Sequence, residues 1–133
     1  MGKILVLVPD PDIDLLGPIY KIVDLLKGCE ATIFYPFEVP VVSLLDEEEF
    51  RDQIKEIEEK LSPFVARVKP FFSEVAVKVV LARDQMEAAV VEAESGEYNL
   101  IIVYRIYERI GGIFKHEKFI KIVGKTDKPV LFI

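Results

Sequence analysis

Continuous apolar runs alternating with helical segments constrain the fold of this chain most strongly. Residues 4–8 are apolar at every position, as expected for a strand covered on both faces. Similar β-rich runs follow at residues 32–35, 75–81, 100–103 and 130–133. Because strands that alternate with helices form βαβ units, we predict a three-layer α/β/α sandwich. Its five-stranded parallel sheet is predicted to have the strand order 3-2-1-4-5.

Helices are predicted where apolar residues recur at the spacing of one helical face. The first helix carries Leu15, Ile19, Ile22 and Leu26, and Gly28 is expected to stop it. The last helix is predicted to end near Gly124 and to carry Phe114, Phe119, Ile122 and Val123. The second strand is expected to close at Pro36, since proline lacks a backbone N–H.

The two middle helices show sequence signals for their N-termini. Asp46 and Glu49 resemble a capping box ahead of a long apolar stripe, in which Pro63 could kink or split the helix. The stripe consists of Phe50, Ile54, Ile57, Leu61, Phe64 and Val68. Asp84 and Glu87 repeat the capping pattern before Met86, Val90 and Ala93, and Gly96 is predicted to end that helix.

Length, charge and cysteine content narrow the class of protein. With 133 residues the chain fits one domain, 1–133, and its net charge of −6 disfavours nucleic acid or an anionic membrane as a partner. Scattered basic residues form only a mild cluster at Lys115, Lys118, Lys121, Lys125 and Lys128. The single cysteine, Cys29, excludes an internal disulfide and a Cys-only metal site. We expect a soluble cytoplasmic protein, and the scarcity of Asn and Gln leans towards a thermophilic source.

A ligand site of a doubly wound sheet lies beyond the carboxyl ends of its strands, where the winding direction reverses. In the predicted order this switch point falls between the first and fourth strands. The carboxyl ends there are Val8-Pro9-Asp10 and Val103-Tyr104-Arg105. We therefore expect any site of this protein near these residues.

Four stretches together cover essentially the whole chain: "KILVLVPD", a long second helix, "YNLIIV" and the closing "KTDKPVLFI". In element order and length they resemble the universal stress protein family. The resemblance implies the fold of the adenine nucleotide alpha hydrolase-like proteins. Its nucleotide-binding members carry Gly-x-x-Gly after the fourth strand and Gly-Ser or Gly-Thr about ten residues later, so that backbone N–H groups reach ATP phosphates.

This sequence departs from the family pattern at the phosphate loop. Tyr104-Arg105-Ile106-Tyr107 stands where the first glycine pair is expected, and His116-Glu117 or Glu117-Lys118 stands where Gly-Ser is expected. Losing two or three charge-assisted hydrogen bonds would weaken ATP binding by roughly 10²- to 10⁴-fold. Asp10 is the one position that still matches the family pattern, which has an acidic residue after the first strand. We therefore expect no cofactor bound in the family manner.

A rebuilt nucleotide site is the alternative. Gly111 and Gly112 precede the last predicted helix and lie near Arg105, Arg109 and Lys115 in the sequence, so they could form a displaced anion site. A displaced adenine could stack on Tyr104 or Tyr107. The candidate ligand for such a site is ATP or AMP with Mg²⁺, and the candidate residues are Pro9, Asp10, Tyr104, Arg105, Gly111 and Gly112.

The sequence contains no recognisable set of catalytic residues. Asp10, Asp12 and Asp14 could hold Mg²⁺ as in receiver domains, but no Asp ends the third strand, and helix capping or loop solvation explains these acids. His116 is the only histidine, which excludes a multi-histidine metal site. We predict neither catalytic nor metal-binding residues, with an ATPase or phosphotransfer protein as the remaining enzymatic alternative.

The final strand is the predicted contact with a partner. Val130, Leu131, Phe132 and Ile133 are apolar to the last residue, and an edge strand of this kind invites pairing with another chain. In the family that the chain resembles, this strand commonly pairs across a two-fold axis. We therefore expect a homodimer that acts as a stress-related regulatory or binding protein on an unknown protein partner.

Overall fold

A computed structural model describes residues 2–40, 45–105, 109–110, 113–114 and 118–133. Its main sheet is five-stranded and entirely parallel, in the order β3-β2-β1-β4-β7, which confirms the predicted fold class and strand order. The strands of this sheet are β1 (Lys3–Leu7), β2 (Glu30–Glu38), β3 (Glu74–Ala82), β4 (Leu100–Val103) and β7 (Val130–Phe132). Two short strands between β4 and β7, β5 (Arg109–Ile110) and β6 (Ile113–Phe114), pair antiparallel with each other.

Helices cover both faces of the sheet. The α-helices are α1 (Leu16–Tyr20), α2 (Arg51–Val68) and α3 (Gln85–Ser95), and the 3-10 segments are Val23–Leu26, Lys69–Phe71 and Ile120–Gly124. No helix in the described part of the chain is both long and apolar enough to cross a membrane. Because successive strand residues point to opposite faces, β1 contributes Ile4 and Val6 to one core and Leu5 and Leu7 to the other.

Each core has its own helices. The first lies under α1 and α2 and contains Ile19, Leu61 and Phe64. The second lies under α3 and the last 3-10 segment and contains Ala89 and Ile122. The alternation of β1 therefore fixes two layers of helix on one sheet.

The first predicted helix is shorter than its apolar spacing indicated. Continuous helix ends at Tyr20, and the chain continues through i→i+3 backbone bonds, from Ile22 N–H to the Ile19 carbonyl and from Leu25 N–H to the Ile22 carbonyl. Leu15 and Leu26 are nevertheless buried as predicted, and Gly28 has a φ of 80°. The buried apolar face of this segment is therefore as predicted, but the α-helix is shorter than predicted.

The long second helix differs from its prediction at two points. It begins at Arg51 rather than at Asp46, whose carboxylate accepts the Glu48 N–H in the preceding turn. It also runs unbroken through Pro63. Pro63 and Glu59, whose carbonyl loses its helical donor, are both exposed, so water can satisfy that carbonyl.

Pro36 does not close β2, which continues to Glu38. The Phe34 carbonyl accepts the Val8 N–H on the β1 side, and the backbone of Pro36, two residues later, faces the same side. Because β1 ends at Leu7, the missing N–H of Pro36 deprives no neighbouring strand of a hydrogen bond.

The prediction of one last helix is wrong for the part of this segment that the structure describes. Phe114 lies in β6, and only Ile120–Gly124 is helical, as a 3-10 segment. Phe119 has a left-handed φ of 60°, which interrupts a right-handed helix at that residue. The sequence between β5 and β6 is Gly-Gly, which favours a hairpin rather than a helix.

The predicted cap of α3 is confirmed, and it gives a test of the helix boundaries. The Asp84 carboxylate accepts the N–H groups of Met86 and Glu87, at 2.8 and 3.2 Å. We expect Asp84→Ala to lower the free energy of unfolding by about 1 kcal/mol, as for other lost N-caps. Asp46→Ala, which removes a turn acceptor outside α2, is the matched control and should cost less. Equal losses in urea unfolding would contradict this assignment.

Candidate functional site

The carboxyl ends of β1 and β4 lie side by side in the sheet. β1 pairs with β2 on one side and with β4 on the other, and the winding direction reverses between β1 and β4. The switch point is therefore where the sequence predicted it. Three of the described candidate residues, Asp10, Tyr104 and Arg105, lie at this edge of the sheet but face different surroundings.

Tyr104 points into the protein. Its side chain is 1% exposed and packs in the core under α1, and its hydroxyl donates to the Leu15 carbonyl at 2.7 Å. Burial and the nearby Asp14 carboxylate raise the pKa of this phenol well above its usual range, so it stays protonated. The ring thus anchors the end of β4 to the residue just before α1.

Arg105 points to the other side of the β4 end. Its guanidinium lies 5.8 Å from the ring centroid of Phe132, and its backbone N–H donates to the Ile133 carbonyl at 2.7 Å. The side chain lines a groove next to β7 with Lys21 and Ile22. Arg105 and Asp10 therefore line different cavities.

Asp10 and Pro9 lie at a cavity of about 280 Å³ beyond the ends of β1 and β2. The Asp10 carboxylate accepts the Asp12 N–H at 2.8 Å, which fixes a tight turn after β1. The Pro9 carbonyl lies 3.4 Å from the Lys118 ammonium. The wall of the cavity on the β2 side is aromatic, with Tyr35 and Phe37.

Charges of both signs surround this cavity. Lys60 from α2 lies 3.3 Å from the Asp12 carboxylate and 3.8 Å from that of Glu56. Burial, followed by Asp10, Asp12 and Glu38, raises the pKa of Tyr35, so its phenol is a neutral hydrogen-bonding group. The cavity can therefore offer carboxylate acceptors, ammonium donors and an aromatic wall to a small polar molecule.

Sequence reasoning missed Tyr35, Lys60 and Lys118 as neighbours of Asp10. Tyr35 was predicted only as a strand residue. Its place at the end of the predicted second strand could have indicated that it lies near Asp10, which follows the first strand. Lys60 lies on the exposed side of a regular amphipathic helix, and Lys118 reaches back to a residue far away in the sequence. Neither lysine carries a local signal that would have indicated this placement.

The aspartates after β1 make contacts that stabilise their own loop. Asp12 pairs with Lys60, and the Asp14 carboxylate accepts the Gly17 N–H at 3.1 Å. This agrees with capping and solvation as the explanation of these acids. Within the described residues, no group of three or more His, Cys, Asp or Glu side chains is arranged to hold a metal ion. Gly111, Gly112, Tyr107, Lys115 and His116 lie outside the described residues.

No protein-family model and no curated protein matches this sequence. Solved structures do match it along its whole length. A universal stress protein from Archaeoglobus fulgidus is 16% identical, with a TM-score of 0.73, and the match covers 100% of this chain and 98% of that one. The chain has the universal stress protein fold.

Two further structures have the same arrangement. A universal stress protein family protein from Arabidopsis thaliana, solved with AMP bound, is 14% identical with a TM-score of 0.61, covering 100% of this chain and 91% of the other. A hypothetical protein of known crystal structure is 20% identical with a TM-score of 0.65, covering 99% and 94%. At these identities the likeness shows a shared fold.

The anchoring of Tyr104 predicts a graded loss of stability. Tyr104→Phe should lower the free energy of unfolding by about 1–3 kcal/mol, because the Leu15 carbonyl loses its donor inside the core. Tyr104→Ala should cost about 3–5 kcal/mol through the cavity that it leaves. Tyr35→Phe, at the half-buried wall of the cavity, is the control and should change stability little. Urea unfolding in which Tyr104→Phe and Tyr35→Phe cost the same would contradict the anchor.

Proposed function

We propose that this chain is a universal-stress-protein-like homodimer that acts as a regulatory or binding protein and does not bind ATP in the manner of the nucleotide-binding members. The observation that carries the proposal is the buried ring of Tyr104 at the switch point. In this proposal the chain works through its surface and its partner contacts rather than through catalysis.

The placement of Tyr104 supports the absence of family-type ATP binding. A phosphate loop needs backbone N–H groups free to approach an anion, which glycines permit. Here the first position of that loop carries a ring held in the core by a hydrogen bond. The ring is also unavailable for stacking on an adenine, because its faces pack against core residues.

Backbone geometry at β7 supports the homodimer. Ile133 N–H donates to the Val103 carbonyl, and the Pro129 and Ile133 carbonyls accept N–H groups of Ile101 and Arg105. In a parallel ladder alternate residues bond to the same neighbour, so Val130 and Phe132 direct their backbone groups away from β4. Among the described strands, β7 is an edge of the sheet, so these backbone groups can pair with a strand from a second copy.

Apolar side chains flank the same edge. Val130, Leu131, Phe132 and Ile133 are only partly buried in the single chain. On the adjoining 3-10 segment, Ile120 is 44% exposed and Val123 is 53% exposed. A two-fold contact through β7 would remove this apolar surface from water, which is the main driving force for association.

A nucleotide-binding protein with a rebuilt site is the second candidate. The observation in its favour is the cavity beside Asp10, with the cations Lys60 and Lys118 at its wall. The Arabidopsis structure with AMP bound shows that a protein of this fold can hold a nucleotide. In this chain, however, Arg105 lines a different cavity from Asp10, so the two do not form one phosphate site.

Native mass spectrometry tests the two candidates together, because it reads subunit number and bound mass at once. The freshly purified protein is measured alone and with submillimolar ATP, ADP or AMP and Mg²⁺. We expect a dimer with no stoichiometric adduct. An adduct that Asp10→Ala abolishes would refute the preferred proposal and establish the rebuilt site, whereas an adduct that survives Asp10→Ala would refute both.

The β7 contact is tested by removing one outward N–H. We expect Val130→Pro to convert the dimer into a monomer, because proline lacks the donor that the partner strand would use. Val130→Ala shortens the side chain but keeps the N–H, so it should stay dimeric. Sedimentation velocity measures the subunit number, and thermal melting checks that both variants fold. A wild-type protein that is monomeric, or a Val130→Pro variant that dimerises normally, would contradict the contact.

A further inference from the structure

The outer edge of β3 is the longer of the two edges of the main sheet, taking the strands that the structure describes. β3 spans nine residues, whereas β7 at the opposite edge spans three. The Val39 N–H donates to the Ala82 carbonyl, which shows that the even-numbered residues of β3 bond to β2. The backbone groups of Val75, Val77 and Val79 are therefore directed away from β2. A further strand can pair with them.

An apolar groove runs along this edge on the α2 side of the sheet. Val75 and Val79 pack on the core under α1 and α2, and Val77, which lies between them, is 36% exposed. Val77, Val79 and Ile54 of α2 line a groove of about 400 Å³. Residues 76–78 in the middle of the strand are all exposed. The edge therefore offers a floor for side chains next to backbone groups that a strand can use.

Acidic side chains flank the groove. Glu47 and Glu58 line it, and neither has an ion pair with another residue that the structure describes. Lys78 also lines it, but its ammonium is held by α3 on the other face of the sheet, 3.0 and 3.3 Å from the two Glu92 carboxylate oxygens. Residues 46–60 carry eight acidic and three basic side chains, all of them exposed. Most of the net charge of −6 thus lies in the segment that borders this groove.

We propose that the β3 edge binds an extended segment of a partner protein that carries arginine or lysine at alternate positions. The segment adds to the sheet as a strand beside β3, and every second side chain then lies on the α2 side. There the apolar stems of the basic side chains cover Val77 and Ile54, and their charged ends reach Glu47 and Glu58.

The charge of the groove decides between possible occupants of this edge. A second copy of the chain would bring its own acidic segment to the same place, and like charges would oppose the pairing. A basic segment replaces that repulsion with attraction. This inference rests on the proposed function, in which the chain acts as a binding protein, and it supplies the chemistry of the partner.

The probe is a capped heptapeptide of alternating arginine and valine, and the readout is backbone NMR of the labelled full chain. We expect saturable one-to-one binding that shifts the amides of Val75, Val77 and Val79. Raising the salt concentration from 0.05 to 0.5 M should weaken the binding roughly tenfold, because the contacts of the charged ends are exposed. A peptide of the same composition with the arginines and valines in separate blocks should bind clearly more weakly.

N-methylated peptides test whether the probe pairs as a strand. Only alternate N–H groups of a strand face the same neighbour. Methylation of the arginine nitrogens and methylation of the valine nitrogens should therefore differ, with one peptide losing its affinity and the other keeping it. Equal affinities of the two methylated peptides would overturn the proposed pairing.

Charge-removing variants assign the acidic contacts. Glu47→Gln and Glu58→Gln should each weaken the binding about 2- to 5-fold, as expected for exposed ion pairs. Glu94→Gln removes an exposed acid of α3 outside the groove and should leave the affinity unchanged. The proposal is overturned if the alternating peptide does not bind, if the block peptide binds equally well, or if Glu58→Gln and Glu94→Gln have the same affinity.

Sedimentation velocity of the same samples separates this inference from the proposed homodimer. The peptide should leave the subunit number unchanged, because β3 and β7 lie at opposite edges of the sheet. A dimer that the peptide dissociates would assign the β3 edge to a second copy and overturn the inference. A monomer that binds the peptide would refute the homodimer alone, and a dimer that does not bind it would refute this inference alone.

Discussion

The hydrogen bond from Tyr104 to the Leu15 carbonyl joins the two sides of the switch point. It ties the end of β4 to the loop that leaves β1, and the ring that makes it fills the core under α1. In the proposed function a backbone fixed in this way does not wrap a phosphate. The residue after Tyr104, Arg105, is directed towards β7.

The separation of the cavities divides the chemistry of this end of the molecule. Asp10 shares its cavity with Tyr35 and with lysines that come from α2 and from the segment after β6. Arg105 shares its groove with α1 and β7. A nucleotide needs base, ribose and phosphate contacts in one continuous site, and Asp10 and Arg105 do not share one.

Strand runs were readable from sequence because a strand buried on both faces is continuously apolar, and the order of five such runs with helices between them left few topologies. The Asp84 cap was equally local. The conformation of segments that is set by packing against other elements could not be predicted from the sequence. The 3-10 path after Tyr20, the left-handed Phe119 and the passage of β2 through Pro36 are set by packing and by where β1 ends.

The same division holds for the site. The location of the candidate site at the ends of β1 and β4 follows from topology. The sequence also shows a tyrosine where nucleotide-binding members of the family that the chain resembles carry a glycine. The direction of each side chain cannot be predicted from the sequence, because it depends on contacts with residues distant in the chain. Tyr104 turns inward and Arg105 turns outward through such contacts. Lys60 and Lys118 join Asp10 through such contacts as well.

The most direct test of this account is a crystal structure determined in the presence of saturating AMP. The account predicts that the Tyr104 hydroxyl remains bonded to the Leu15 carbonyl and that no phosphate lies against the backbone that follows β4. A structure in which Tyr104 has left the core and an AMP phosphate is bound by that backbone would contradict it.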